Sequence, residues 1–214
     1  ADAALRQAKA DADALGTALR QAESALTDAR NRAAMLHDMQ RDFEGFSRSV
    51  KSVMQQASRG GLSGVHGPVS ALLSTENRFV TAIDTALGAS ASSIVVGSAE
   101  DGRACIEYLR RTDGGRATFL PLDTIRPASL RESGLDRERG CCGTADTLVQ
   151  FDETYGAVVR SLLARTVVCE NMDAALALAR SRGHRFRIVT LDGQIINRGG
   201  SMTGGSVSRS AGVL

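Results

Sequence analysis

The sequence has no run of eighteen apolar residues, and its first residues, ADAALRQ, lack the charged-then-apolar order of a secretion signal, so the pattern predicts neither a membrane span nor an exported precursor. Histidine is scarce: only His37, His66 and His184 occur, none with a carboxylate at metal-binding spacing, which leaves no candidate general base. No G-x-S-x-G stands on a strand-to-helix turn; the nearest stretch, GLSGV at 61–65, lies in a glycine-rich breaker, and a serine triad is not expected. The four cysteines, Cys105, Cys141, Cys142 and Cys169, have no zinc-site spacing and are expected as reduced thiols, the vicinal pair unbridged in a loop. Lysine disappears after Lys51, every later basic residue being arginine, a bias that the base composition of a GC-rich genome would produce. Net charge is +2 over 214 residues, too balanced to predict a strong nucleic-acid field.

Glycine is almost missing from residues 1–58, which hold only Gly16 and Gly45 of the 22. Proline is absent there too. What this stretch has is a heptad repeat. With Leu5 at position a, the a series is Leu5, Ala12, Leu19, Leu26, Ala33, Gln40, Ser47 and Met54, and the d series is Ala8, Leu15, Ala22, Ala29, Leu36, Phe43, Val50 and Ala57. A 3.5-residue repeat sustained over this length predicts one strand of a coiled coil, roughly 85 Å long at 1.5 Å per residue. An apolar seam of that length needs a second helix to cover it. No other heptads occur in the chain, and residues 207–214 are the only stretch after the glycine run. The reading is therefore an outgoing arm cut from a longer protein, with the returning arm beginning at 207–214 and continuing past Leu214.

After the breaker SRGGLSGVHGP at 58–68 comes a repeated pattern. RFVTAIDTALG, SIVV, DGRACIEYLRR and RATFLPLD read as helix, strand, helix and strand. YGAVVRSLLA, TVVC, MDAALALARS and RIVTLDG read the same way. The duplication predicts two related α/β subdomains: residues 59–126 and 146–206, joined by a charged, glycine-broken connector at 127–145.

The stretch NRGGSMTGGS at 197–206 nearly spells a phosphate-binding loop, with Gly199 and Gly204 spaced as G-x-x-x-x-G and Ser206 at the hydroxyl position. Gly205 stands where the lysine should be, and no apolar strand ending in Asp follows. The glycines are better suited to a second backbone coming close, at the end of a strand just before an exit helix.

Five stretches carry a family resemblance: GLSGVHGPVSALL (61–73), AIDTALG (82–88), GGRATFLPLD (114–123), VVRSLLARTVVCENMDAALALA (158–179) and VTLDGQIINRGGSMTGGS (189–206). In this order they resemble the hinge region of structural maintenance of chromosomes (SMC) proteins, most similar to the bacterial homodimeric members, with part of one coiled-coil arm attached. The resemblance implies an α+β fold of two related α/β subdomains preceded by a long coiled-coil helix, and a ring-like homodimer about a two-fold axis. It places Gly199, Gly200, Gly204 and Gly205 at or beside the dimer interface. It implies DNA contact near the junction of hinge and arm, for which Lys51, Arg59, Arg198 and Arg209 are candidates, with Arg103, Arg110, Arg111 and Arg116 as a second group. No catalytic residue, cofactor or metal is expected in this stretch. The family's ATP and Mg²⁺ are handled by head domains at the far ends of the arms, where a kleisin subunit also binds. A cytoplasmic, nucleoid-associated protein of chromosome condensation and segregation is implied. The alternatives are the hinge of a rod-shaped DNA-repair or heterodimeric SMC-like ATPase and, from another class, a nucleotide-binding enzyme fragment that uses the glycine run.

Overall fold

A computed structural model of the chain describes residues 15–31 and 45–206. They fall into two compact units, one up to Gly45 and one from Phe46 onward. In the first, residues 15–31 form a helix, α1, on which Leu15, Leu19 and Leu26 are 71, 60 and 51% exposed. These three occupy heptad positions d, a and a. The remaining heptad residues at 1–14 and 32–44 lie outside the described residues, as do 207–214.

The heptad repeat predicts one helix through to 58. Instead the backbone turns at Gly45, whose φ is +93°, and helix α2 (Arg48–Ser58) starts afresh. Ser47 caps it with an extended backbone, its hydroxyl accepting from the Val50 amide. α2 belongs to the second unit. Val50 and Val53 are buried there beside Ile94, Val96, Cys105 and Leu109, and the Ser49 hydroxyl donates to the Arg116 carbonyl at 2.7 Å.

The rest of the second unit is the duplication expected from sequence, and it begins earlier in each half than the motifs indicated. The first half runs β1 (Val65–Pro68), β2 (Leu73–Thr75), α3 (Val80–Leu87), β3 (Ile94–Val96), α4 (Ala99–Arg111) and β4 (Phe119–Pro121). The second runs β5 (Cys141–Thr144), β6 (Val149–Phe151), α5 (Gly156–Leu163), β7 (Thr166–Cys169), α6 (Met172–Ser181) and β8 (Arg187–Thr190). A hairpin of β9 (Ile195–Ile196) and β10 (Met202–Thr203) follows only the second. Strand β5 lies inside residues 127–145, which the sequence presented as connector. Gly143 (φ +126°) sits at a bulge against β7, as Gly67 (φ +145°) does in β1 against β3, and a bulge breaks the alternation by which a strand is recognised.

In each half a first strand pairs antiparallel with a second that continues, through a helix, into a parallel third: β1-β3-β4 and β5-β7-β8. β3 and β7 are buried along their whole length, which is why they read as unbroken β-branched runs. Their helices start on matched caps, Ser98 accepting from the Asp101 amide and Asn171 from the Ala174 amide.

The halves are joined by the antiparallel pair β2·β6, in which Leu73 faces Phe151, Ser74 faces Gln150 and Thr75 faces Val149. Ser74 and Gln150 hold equivalent places in their halves, so an internal pseudo-two-fold axis passes between them. Around it one core is shared: Leu73, Phe79, Ile83, Leu87 and Val95 pack with Val149, Val158, Leu163, Val168 and Val189. Inner and outer faces alternate as a pleat requires. Val95 and Val168 point into the shared core, while Ile94 and Val96 face α4 and α2, and Val167 and Cys169 face α6.

Polar ties also cross between the halves, among them the Thr75 hydroxyl donating to the Leu148 carbonyl at 2.6 Å. His66 Nδ1 lies 3.3 Å from the Tyr155 hydroxyl, ring edge to ring face. The Arg187 guanidinium on β8 donates to the carbonyls of Thr85 and Ala86 at 3.1 and 3.0 Å, capping the C-terminus of α3, and its burial lowers the arginine pKa. Replacing Arg187 by Ala leaves those carbonyls unpaired. The expected loss is about 2 kcal/mol in urea unfolding, within the range for hydrogen bonds to a charged group. Arg78→Ala, which removes an exposed arginine paired with Glu76, is expected to cost less than about 1 kcal/mol in the same assay.

Candidate dimer interface and nucleic-acid surface

The glycine run folds as a hairpin at the rim of the five-stranded sheet β10-β9-β8-β7-β5. β9 pairs with β8 and β10 with β9, which leaves β10 as the edge strand. The turn between them is closed by Gly200 N–H donating to the Asn197 carbonyl at 2.9 Å, with Gly199 in its third position at φ +86°, as a type II turn requires. Gly199 N–H itself donates to the His184 carbonyl at 3.0 Å. Gly200 (φ +96°) lies against the His184 ring, and a Cβ there would sit 3.5 Å from Nδ1. His184 is itself left-handed (φ +53°), its Nδ1 buried without a hydrogen-bond partner.

Past β10, the Gln194 side chain holds the chain by a two-point amide pair. Its Oε1 accepts from Gly205 N–H at 2.9 Å and its Nε2 donates to the Gly205 carbonyl at 3.1 Å. Gly205 has φ +139° and Gly204 packs directly on the Gln194 side chain. Gly199 and Gly200 lie in the hairpin turn and Gly204 and Gly205 just past β10, and three of the four are needed for backbone conformation within the chain. The exit helix expected after the glycines lies outside the described residues. The amides of Gly199, Gly200 and Gly205 are all engaged, so this is not the open nest that cradles a phosphate.

The open edge belongs to Met202. Asn197 N–H donates to the Ser201 carbonyl at 2.8 Å, the bond that flanks a pair whose own amide groups point away from each other. Met202, opposite Ile196 in that pair, therefore directs its N–H and C=O outward, and its side chain is 54% exposed. In the first half, β4 is the corresponding open edge, since no hairpin follows it. Nothing in the sequence pattern singles out Gln194, His184 or Met202; only the Asp192-Gly193 turn hints that a strand doubles back here.

The charged candidates are regrouped by the fold. α2 and α4 run side by side in opposite directions: Ser52 Oγ meets the Tyr108 hydroxyl at 3.1 Å, Ser49 reaches Arg116, and Ser63 donates to Asp101 at 3.4 Å. Arg110 and Arg111, in the last turn of α4, and Arg116 just beyond it thus lie at the same end as Lys51, where α2 begins. Arg110 and Arg111 are exposed. A cavity of about 260 Å³ between Ser47, Val50, Ser92, Ser93, Thr118 and Arg116 opens there. Arg59, exposed at the other end of α2, is separate from this group. Arg103 is paired with Glu107 at 2.9 Å, and Arg198 sits exposed in the β9–β10 turn of the other half. Arg209 lies outside the described residues. Among the described residues no cluster of three or more His, Cys, Asp or Glu side chains could hold a metal ion, and no helix is long and apolar enough to cross a membrane.

Two pseudo-symmetric α/β halves sharing one core, with sheet edges left open, define the hinge class of the rod-shaped chromosome proteins. The family model for the flexible hinge domain of SMC proteins matches residues 62–179, and the chain belongs to that family. It is similar to the chromosome partition protein Smc of Bacillus subtilis (strain 168), 43% identical over 196 residues that cover 90% of this chain and 16% of that protein. The Smc of Methanocaldococcus jannaschii is 38% identical over 163 residues, covering 76% of this chain and 14% of its own length. The chain thus spans about a sixth of the curated relatives it matches. Among solved structures, an asymmetric dimer of the Geobacillus stearothermophilus SMC hinge domain has a TM-score of 0.83 at 38% identity, covering 90% of this chain and 79% of that one. The Pyrococcus furiosus SMC hinge domain has a TM-score of 0.62 at 28% identity, with 79% and 85% covered.

Gly199 is the most direct test of the hairpin geometry. Gly199→Ala forces a Cβ into left-handed backbone and is expected to cost about 1–2 kcal/mol, whereas Gly199→Asn, which tolerates that region, should recover most of it. Urea unfolding of the two variants side by side checks the order.

Proposed function

We propose that this chain is the homodimerisation hinge of a chromosome-partitioning SMC ATPase. The observation that carries the reading is the unpaired edge at Met202. A strand edge with free amide groups at the sheet rim calls for another strand, and a second copy offers one in the open edge of β4. Two such contacts, β10 of each copy on β4 of the other, repeat about a two-fold axis and close a ring without leaving either edge free. Gly199, Gly200, Gly204 and Gly205 lie beside this contact, where their lack of side chains keeps the approach to Met202 clear. The hinge relative from G. stearothermophilus, described as a dimer, supports the reading. The parent protein would carry ATP- and Mg²⁺-binding heads and a kleisin at the far ends of its arms, and would work in the cytoplasm at the nucleoid.

The edge pairing is tested by Met202→Pro. Proline removes the outward N–H, while the Thr203 amides that pair with β9 stay in place. Light scattering is expected to give a dimer for the unaltered chain and a monomer for the variant, with the same far-UV circular dichroism. A variant that stays dimeric would rule out β10 as the interface.

DNA contact is the second part of the proposal, carried by Arg110, Arg111 and Arg116 at the start of α2, with Lys51 beside them. Arginine forks on an exposed rim suit phosphate oxygens and should show strong salt dependence. In anisotropy titrations with short single- and double-stranded DNA, changing all three arginines to Ala should weaken binding. On duplex DNA it should also flatten the slope of log affinity against log salt, by about 0.9 for each phosphate that the variant leaves unneutralised. Arg103→Ala, which removes an already paired charge, should change it little. Equal losses from both variants would place the contact elsewhere.

A further inference from the structure

The geometry points to Cys141 and Cys169 as an oxidation site: a thiol pair placed to form a disulfide across β5 and β7. The vicinal pair that stands out in the sequence, Cys141 and Cys142, is the wrong pair. Successive strand residues face opposite sides of a sheet. Cys142 accordingly packs against the shared core, while Cys141 packs with Leu135, Val167 and Ala175 on the α6 side, where Cys169 is fully buried. Closing a bond between neighbours would require one of them to leave its face.

Cys141 and Cys169 are directly opposite in the β5·β7 register. The Glu170 amide donates to the Gly140 carbonyl at 2.8 Å, while the Cys141 amide turns away to Glu138 and the Cys169 carbonyl accepts from Leu191. These bonds mark a pair whose own amides do not bond to each other, the kind in which side chains come closest, with Cα atoms about 4.5 Å apart. That separation is within the span of a disulfide. The Cys169 thiol is already hydrogen-bonded to the Cys141 sulfur. That bond and burial hold Cys169 protonated well above the usual thiol range, with Cys141 as acceptor. Half-buried Cys141 is therefore the sulfur that meets an outside oxidant.

With a low-molecular-weight disulfide RSSR as oxidant, the Cys141 thiolate attacks one sulfur and expels RS⁻, giving a mixed disulfide. Cys169 loses its proton to water and attacks the Cys141 sulfur, expelling the second RS⁻. The balance is two protein thiols and one RSSR in, one protein disulfide and two RSH out. Because Cys169 must deprotonate, the second step accelerates as pH rises. The product ties the edge strand β5, and the connector leading to it, to the centre of the sheet. Cys105 is a built-in control: it is fully buried, its thiol pushed up to about 11 by burial and by Asp101, and its neighbours in the core include no second cysteine.

The test is oxidation of the folded chain with glutathione disulfide, followed by alkylation in denaturant, tryptic digestion without reductant and mass spectrometry. Cleavage after Arg139, Arg160, Arg165 and Arg180 separates Cys141 and Cys142 from Cys169. The expected product joins peptide 140–160 to peptide 166–180, and forms equally in Cys142→Ala. Its rate should rise as pH increases from 7 to 9, and the oxidised chain should melt several degrees higher than the reduced one. Three outcomes would overturn the assignment: a bond within 140–160, a bond that disappears in Cys142→Ala, or four alkylated thiols after oxidation. Cys142→Ala leaves both proposed partners in place, and Cys141→Ser, on the half-buried residue, should abolish the link without emptying the core.

Discussion

The shared core around the β2·β6 pair is the constraint on which the rest depends. The unit common to both halves is three paired strands with a helix on the outer face and another on the inner side, too small to bury its inner apolar surface unaided. Leu73 and Val149 are the residues that carry the ladder inward, and Ile83 and Leu163 fill the centre from α3 and α5. Joining the halves through equivalent strands solves this burial twice with one arrangement. It also makes the domain nearly symmetric before any second copy arrives.

Where the symmetry fails, function becomes possible. The second half continues past β8 into the β9–β10 hairpin and the first half stops at β4. One half therefore ends in the hairpin edge β10 and the other in the edge of β4. A perfectly symmetric domain would present like edges only. The hairpin that creates the difference is held by interactions within the chain: the His184 carbonyl on Gly199, the Asn197 turn, and the Gln194 amide on Gly205. The glycines thus have a conformational role first. Any role against a partner strand rests on that geometry, and bulky substitutions there would disturb both together.

The start of α2 is the other place where parts of the chain distant in sequence meet. α2 begins as a helix of its own because the backbone turns at Gly45 and Ser47 caps the new start, and Val50 and Val53 then face the hinge core. Its antiparallel packing on α4 carries the basic end of that helix to the start of α2. Near-neutral net charge concealed this, because composition averages over a surface whose arginines are unevenly placed.

Local patterns in the sequence determined a good deal: the helix that carries Leu15, Leu19 and Leu26 at heptad positions, the buried parallel strands β3 and β7, their capped helices, and the duplication itself. These are encoded by neighbours within a turn or a strand, where periodicity and capping act directly. Strands β1, β5, β9 and β10 were illegible, being two to four residues long and interrupted or flanked by glycine, so that no alternation could accumulate. Which cysteine faces which, which arginines gather, and which strand edge stays open were decided only by tertiary structure. Each depends on register and on packing between segments tens of residues apart, and nothing in the local chain records how such segments will be aligned.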